Sequence, residues 1–302
     1  MQLYKLILGF ITLTLLSAAA GISQTRKTDL AVAGLIGPVK TIQSHSVDYS
    51  GDKIVGEGFM KTEGDLVIYD ESGRELDRKA VSDFGEAMGK MSRVFDKAGL
   101  LTEYKWTSPK GDLLKKEVYS YTDGKLVEIL TYDGALKLVE KTANVYDSRG
   151  RLEAENYYDP AKLVAKTIYK YDNKSDLIET AFFMADGRKA TAPVGPCLGA
   201  HRVTNVYNDK GLVIAQAVYE TDGTKKKSYQ WKYDDKKNIV RYSSESQSST
   251  VSFVYQYKFD SRGNWTKRIA TGTSLEKGLT VFGHKPTPYI RTTVTNRSLS
   301  YY

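Results

Sequence analysis

Apolar and polar positions alternate through most of this chain. Tyr229, Trp231 and Tyr233 share one face of a period-2 segment, as do Tyr255, Tyr257 and Phe259, and Tyr169 with Tyr171. Turn signals separate these segments. The fullest form is aromatic-Asp-x-x-Gly, at Tyr69 to Gly73, Phe95 to Gly99, Tyr146 to Gly150 and Phe259 to Gly263, with Asn208 replacing Asp in the copy from Tyr207 to Gly211. Asp or Asn opening a turn can accept from the backbone ahead of it, and Gly takes the left-handed position that closes it. At Tyr121 the turn shortens to Thr122-Asp123-Gly124, and in the Tyr233 copy Asn238 is expected near the Gly site. A second turn closes each unit, at Tyr132-Asp133-Gly134, Asp159-Pro160, Asp186-Gly187 and Thr221-Asp222-Gly223. The outgoing strands read as Leu126, Glu128 and Leu130 on one face, or Leu152, Ala154 and Asn156.

The aromatics at Tyr69, Phe95, Tyr121, Tyr146, Tyr171, Tyr207, Tyr233 and Phe259 follow one another at 26, 26, 25, 25, 36, 26 and 26 residues. A fixed period of this size is the mark of a repeat array. The expected fold is therefore all-β: tandem antiparallel hairpins of about 26 residues, two strands and two turns each, forming an elongated or curled repeat sheet. Only Leu30 to Ile36 and the stretch from Phe84 to Met91 leave room for a short helical turn.

Residues 1–24 read as a secretory signal, with Lys5 in the basic region, an apolar run from Leu6 to Leu16 and small residues Ala18-Ala19-Ala20 at the cleavage site. The rest, 25–302, reads as one β domain. Residues 35–68 are expected to cap the array at its start, 69–270 to carry the repeats and 271–302 to cap its end. No later segment is apolar enough to span a bilayer as a helix, so stable membrane insertion after cleavage is not expected. The expected location is the periplasm or the extracellular face of a bacterial envelope.

Tyr146-Asp147-Ser148-Arg149-Gly150-Arg151-Leu152 resembles the YD repeat of the RHS family, and Phe259-Asp260-Ser261-Arg262-Gly263-Asn264-Trp265 is a close variant. The resemblance covers roughly residues 60 to 270 as degenerate copies. It implies a hairpin-array fold and an envelope setting, and transfers no catalytic residue. Large members of that family wind their hairpins into a shell around a toxin. This chain, at 302 residues, is expected to be too short for a full shell.

Net charge is +8, and the 22 tyrosines far outnumber 9 Phe and 3 Trp, so aromatic surface comes mostly with a polar tip. Lysine clusters at Lys115-Lys116, Lys225 to Lys227 and Lys236-Lys237 fit solvated strand faces and edges better than a nucleic-acid grip. Catalytic motifs are missing, and the recurring Asp residues sit where turns need them, so the sequence assigns no catalytic residue, cofactor or metal ligand. The interval of 36 marks an insertion near 185–201, containing Pro193, Pro196, Cys197 and His201. Insertions in repeat arrays become loops that often bind. The candidate ligand-contacting residues are therefore Tyr229, Trp231, Tyr233, Tyr255, Tyr257 and Trp265, with Cys197 and His201 in the insertion. The expected function is a non-enzymatic binding or structural module for a glycan or an envelope protein. The alternatives are a hydrolase centred on Cys197 and His201, and part of a toxin- or cargo-enclosing shell.

Overall fold

The computed structural model describes residues 33, 35–50, 53–54, 66–81, 87–192, 199–277 and 288–302, with the backbone alone at 45, 53–54, 78–81 and 87–88. The signal segment, most of Gly51 to Gly58 and Cys197 lie outside the described residues.

Nineteen strands follow in chain order: β1 (Val39–Ser50), β2 (Lys53–Ile54), β3 (Leu66–Tyr69), β4 (Glu75–Val81), β5 (Ala87–Phe95), β6 (Leu101–Thr107), β7 (Leu113–Thr122), β8 (Lys125–Asp133), β9 (Leu138–Tyr146) and β10 (Leu152–Asp159). They continue as β11 (Lys162–Tyr171), β12 (Leu177–Met184), β13 (Arg202–Tyr207), β14 (Val213–Tyr219), β15 (Lys225–Tyr233), β16 (Ile239–Ser246), β17 (Ser249–Phe259), β18 (Trp265–Glu276) and β19 (Tyr289–Tyr301). The chain is all-β, as expected. Phe84 to Met91 gives no helical turn among its described residues, because alternation from Met91 through Arg93 to Phe95 carries the segment into β5.

From β3 to β19 every strand pairs antiparallel with the next. β1 then pairs with β19 along one edge, from Thr41↔Ser300 to Tyr49↔Thr292, and with β3 along the other, from Thr41↔Ile68 to Gln43↔Leu66. The short β2 sits beyond β3 on that same edge, with Ser50↔Lys53. The elongated or curled sheet is therefore closed, a ring of 18 strands with β2 as an extra. Eight degenerate copies suffice for closure because the two terminal segments, expected as caps, are themselves strands and cover each other's edges.

Seven of the eight aromatic turns, all but that at Tyr121, share one geometry. In the Asp147 copy, the Gly150 amide donates to Asp147 O, the Asp147 amide to Arg151 O, and Asp147 Oδ1 accepts from the Arg149 and Arg151 amides. Gly150 has φ +78°, where a Cβ would crowd the carbonyl. In the Tyr233 copy this left-handed position falls on Lys237 (φ 66°), not on Asn238. Asn238 instead stands one place later and donates its amide and Nδ2 to Asp234. At Tyr121 the turn has Asp123 (φ 51°) and Gly124 (φ 73°) at its centre, as the shortened motif predicts.

Each turn is followed by a bulge that alternation alone conceals. Tyr121 pairs with Leu126 but Ser120 pairs with Glu128, and the same slip recurs at Tyr146↔Leu152 and Val145↔Ala154. One extra residue flips all that follows to the other face. Leu126 and Glu128 therefore stand on opposite faces, and so do Leu152 and Ala154.

Closing a sheet crowds the side chains on its concave side and splays those on its convex side. Along β17, Phe253, Tyr255, Tyr257 and Phe259 are half-buried while Val254, Gln256 and Lys258 are exposed; along β18, Ala270 and Gly272 are buried while Thr271 and Thr273 are exposed. Tyr157 on β10 reaches past β11 to Phe182 on β12, with 6.4 Å between ring centroids. The aromatic face is thus the inner one. The outer face carries ion pairs: Lys90–Asp77, Lys116–Glu103 and Lys141–Glu128 in mid-strand, and Glu179 held by both Lys170 and Arg202 nearer the strand ends.

Candidate functional site

The repeated tyrosine has a structural task first. The Tyr146 hydroxyl donates to Leu126 O at 2.7 Å, Tyr171 to Leu152 O at 2.8 Å, Tyr207 to Leu177 O at 2.9 Å and Tyr233 to Val213 O at 2.7 Å. Each acceptor is the residue paired with the preceding turn's aromatic, two residues short of where the ladder to the next hairpin begins: Glu128↔Ala143, Ala154↔Ile168, Glu179↔Thr204 and Ala215↔Gln230. The hydroxyl satisfies a carbonyl that the splayed hairpins leave open. Where the repeat carries Phe259, Tyr257 takes over and donates to Ile239 O at 2.9 Å. Burial raises the pKa of Tyr146, Tyr207 and Tyr233 above the ordinary phenol value, and that of Tyr171 to about 12.

The six aromatic candidates fall together on the inner wall formed by β15 to β18. Tyr229 stacks on Trp231 (5.8 Å, 17°), Trp231 meets Tyr242 at 6.0 Å, Tyr242 meets Phe253 at 6.3 Å, and Phe253 meets Tyr255 at 6.2 Å. Tyr257 contacts Phe259 at 6.0 Å and Trp265 edge-on at 6.1 Å. Such pairs contribute about 0.5–1.5 kcal/mol each beyond the area they bury. Gly272 leaves the space for this wall, since a Cβ there would stand 2.3 Å from the Phe253 ring. Tyr233 sits in the same wall with its hydroxyl already committed.

The described residues at the base of the insertion pack inward. After the turn at Met184 to Gly187, Lys189 bridges back to Phe183, and at the neck the Ala192 amide donates to Ala200 O while Ala192 O accepts from the Gly199 amide. Ala190 and Ala192 pack against the inner-face residues Ala165, Phe182, Val203 and Val218. His201 is 5% exposed, its Nδ1 lies 2.8 Å from Phe182 O, and its ring meets Phe183 edge-on. It belongs to the packing at the neck and does not join the aromatic wall. Gly199 does approach that wall: with Val203, Gln216, Val218, Lys226, Lys227 and Tyr229 it lines a cavity of about 240 Å³. Insertion and aromatic band therefore meet at Tyr229.

Charge is unevenly distributed around the inner wall. Glu155 on β10 is 4% exposed and accepts from Tyr169 at 2.5 Å and Tyr157 at 3.0 Å. Burial drives its pKa up, against the pull of those two hydroxyls, and Glu140 on β9 is raised by burial as well. Arg268 and Arg297 stand on β18 and β19. The Arg297 guanidinium lies 3.4 Å from the centroid of Trp265. Tyr242, Phe253, Arg268 and Arg297 were not among the candidates read from sequence. Tyr242 and Phe253 lie off the repeat's aromatic-Asp signature, and Arg297 lies in a segment without repeats.

No family model matches the chain, and no curated protein matches it. A porin-like protein from Bacteroides uniformis is similar over 88% of this chain and 99% of its own, at 13% identity and a TM-score of 0.43. The Photorhabdus luminescens Tc holotoxin pore is similar over 76% of this chain at 10% identity and a TM-score of 0.27, with 15% of that chain covered. Likenesses this distant carry no function.

Proposed function

We propose that this chain is a non-enzymatic, YD-repeat-like barrel of the bacterial envelope that encloses a guest against its aromatic inner wall. The observation that carries this reading is the closed ring with rings from β15 to β18 on its inner face. An open binding sheet would present that face to solvent; closure makes it the lining of a container. The enclosing alternative is thus favoured over an outward-facing binding surface.

The outer wall favours a barrel standing in water. A lipid-embedded barrel needs an apolar outward band about 25 Å tall, and a Lys or Arg at its centre costs about 2–4 kcal/mol. Lys116, Glu103, Lys141 and Glu128 occupy mid-strand positions on the outer face here. The test has two arms. The chain from Thr25, prepared without detergent, is floated with phospholipid vesicles, and the same protein recovered from its export compartment is examined by native mass spectrometry. Expected are no flotation and a co-purifying mass that is lost in Trp231→Ala/Tyr257→Ala while the β circular dichroism spectrum is kept. Flotation would overturn the water-facing barrel, and an empty wild-type spectrum would overturn enclosure.

A further inference from the structure

Two of the four inner-wall arginines with described side chains follow one rule, a carboxylate partner. Arg93 lies 2.9 Å from Glu75, and Arg291 pairs with the buried Asp48. Arg268 and Arg297 depart from this rule. Among the described residues neither makes a hydrogen bond or a salt bridge, and Nε of both, with Nη1 of Arg297, are enclosed without a partner. Their remaining nitrogens, both Nη of Arg268 and Nη2 of Arg297, are neither hydrogen-bonded nor enclosed. Both cations face one ring: Arg297 at 3.4 Å and Arg268 at 5.3 Å from the Trp265 centroid, with Arg268 also 5.8 Å from Tyr255. The strongest charge acting on Arg297 is the repulsive one of Arg268; only the Tyr69 and Tyr257 hydroxyls act the other way.

Two partly enclosed cations side by side, with no anion between them among the described residues, repel each other. Among the described residues, the inner-face carboxyls Glu155 and Glu140, which have no cation partner, are on the far wall. In an 18-strand ring, β10 with Glu155 stands nine strands from β19, and β9 with Glu140 stands nine from β18. Glu155 and Arg268 occupy the same repeat position, three residues after Leu152 and Trp265, the residues paired with the turn aromatics Tyr146 and Phe259. The lumen thus carries acid on one side and uncompensated base on the other.

The geometry points to an oxyanion site in which the open guanidinium nitrogens of Arg268 and Arg297 grip a carboxylate or phosphate group of the guest, with Trp265 as the plane beneath them. This deepens the enclosure reading by giving the guest a charge. A guanidinium fork matches a planar oxyanion through parallel N–H···O bonds, and the adjoining Tyr255–Phe253–Tyr242 band offers flat faces for a sugar ring. The guest this combination fits is an acidic saccharide.

The test is calorimetric titration of the chain from Thr25 with oligogalacturonate, inorganic phosphate and neutral cello-oligosaccharide. Losing one charge-assisted contact lowers affinity about tenfold or more. Arg268→Gln and Arg297→Gln are expected to weaken oligogalacturonate by that factor and leave the neutral sugar unchanged, while Arg268→Lys keeps part of the affinity. Phosphate binding equal to that of oligogalacturonate would name free phosphate as the source of the oxyanion. Melting supplies a second readout that tolerates a folding defect. Arg297→Met should melt higher than wild type in anion-free buffer, and oligogalacturonate should raise the wild type only. No saturable binding of either anion up to about 10 mM, or a lower melting point for Arg297→Met in anion-free buffer, would overturn the site. Anion binding without a co-purifying guest would leave the site standing and remove enclosure; a neutral guest without anion binding would do the reverse.

Discussion

Replacing the repeated tyrosines by phenylalanine, one at a time, should separate two classes of the same substitution. Tyr171 alone among side chains donates to Leu152 O, and Tyr233 alone to Val213 O. The carbonyls served by Tyr146 and Tyr207 have a second donor: Asn144 Nδ2 reaches Leu126 O at 3.0 Å, and Asn205 Nδ2 reaches Leu177 O at 3.0 Å. Tyr146→Phe and Tyr207→Phe therefore remove one of two bonds and should cost about 0.5–1.5 kcal/mol, the net worth of an ordinary hydrogen bond. Tyr171→Phe and Tyr233→Phe strand a half-buried carbonyl between two hairpins and should cost about 1–3 kcal/mol. Tyr255→Phe, whose hydroxyl makes no hydrogen bond within the described residues, serves as the control and should change stability by less than either class. Urea unfolding followed by circular dichroism gives the ranking. Amide exchange should loosen first at the β10–β11 seam in Tyr171→Phe and at the β14–β15 seam in Tyr233→Phe. Equal losses in all five variants would refute the sealing role and reduce the tyrosine to a stacking residue.

Three further outcomes follow from single positions. Lys237→Gly should stabilise by about 1 kcal/mol, because Lys237 pays the left-handed penalty that glycine avoids in the sister turns; a loss in urea midpoint would contradict the turn geometry. Gly272→Ala should destabilise by about 1–3 kcal/mol and alter the near-ultraviolet aromatic signal, since the new Cβ meets the Phe253 ring; an unchanged spectrum would show that the ring has room to yield. Glu155, with its pKa raised by burial, folds best protonated, so its contribution weakens as pH rises through and above its unfolded value near 4.5. Glu155→Gln should therefore gain on wild type as pH rises above about 4.5, whereas Asp147→Asn should lose ground as pH rises toward the unfolded aspartate value near 3.8 and trail by a constant amount above it, because the Arg151 amide and guanidinium hold Asp147 low against desolvation. Parallel stability–pH curves for Glu155→Gln and wild type would exclude the buried carboxyl as their source.

The turns were legible because their chemistry is local: an aspartate oxygen and a left-handed residue lie within five positions. Closure was not, since it rests on Thr41 meeting Ser300, a pairing between two segments that lack the motif. The faces were half-legible. Alternation gathered Tyr229, Trp231 and Tyr233 correctly, but the bulge after each turn reversed the reading of Glu128 and Ala154, and only the ring says which face is inside. Arg268 looked like any strand arginine until Trp265 and Arg297 stood beside it. Lys237 took the place expected of Asn238 because the turn counts residues from Asp234, whatever their propensity.

The tie between the ends has its own consequence. Asn264, 1% exposed, binds Ile36 through its amide and carbonyl at 2.6 and 2.8 Å and the Tyr301 hydroxyl at 3.0 Å, while Tyr302 donates to Tyr69 O. The latch on the first strand thus belongs to the last aromatic-Asp turn, so hairpins completed in chain order leave two raw edges until β19 arrives. On the enclosure proposed above, an extended guest would enter during that interval sideways between β1 and β18, without threading through either rim. Loading and folding would then be one event, and a circularly permuted chain opened elsewhere in the ring would admit its guest through a different wall.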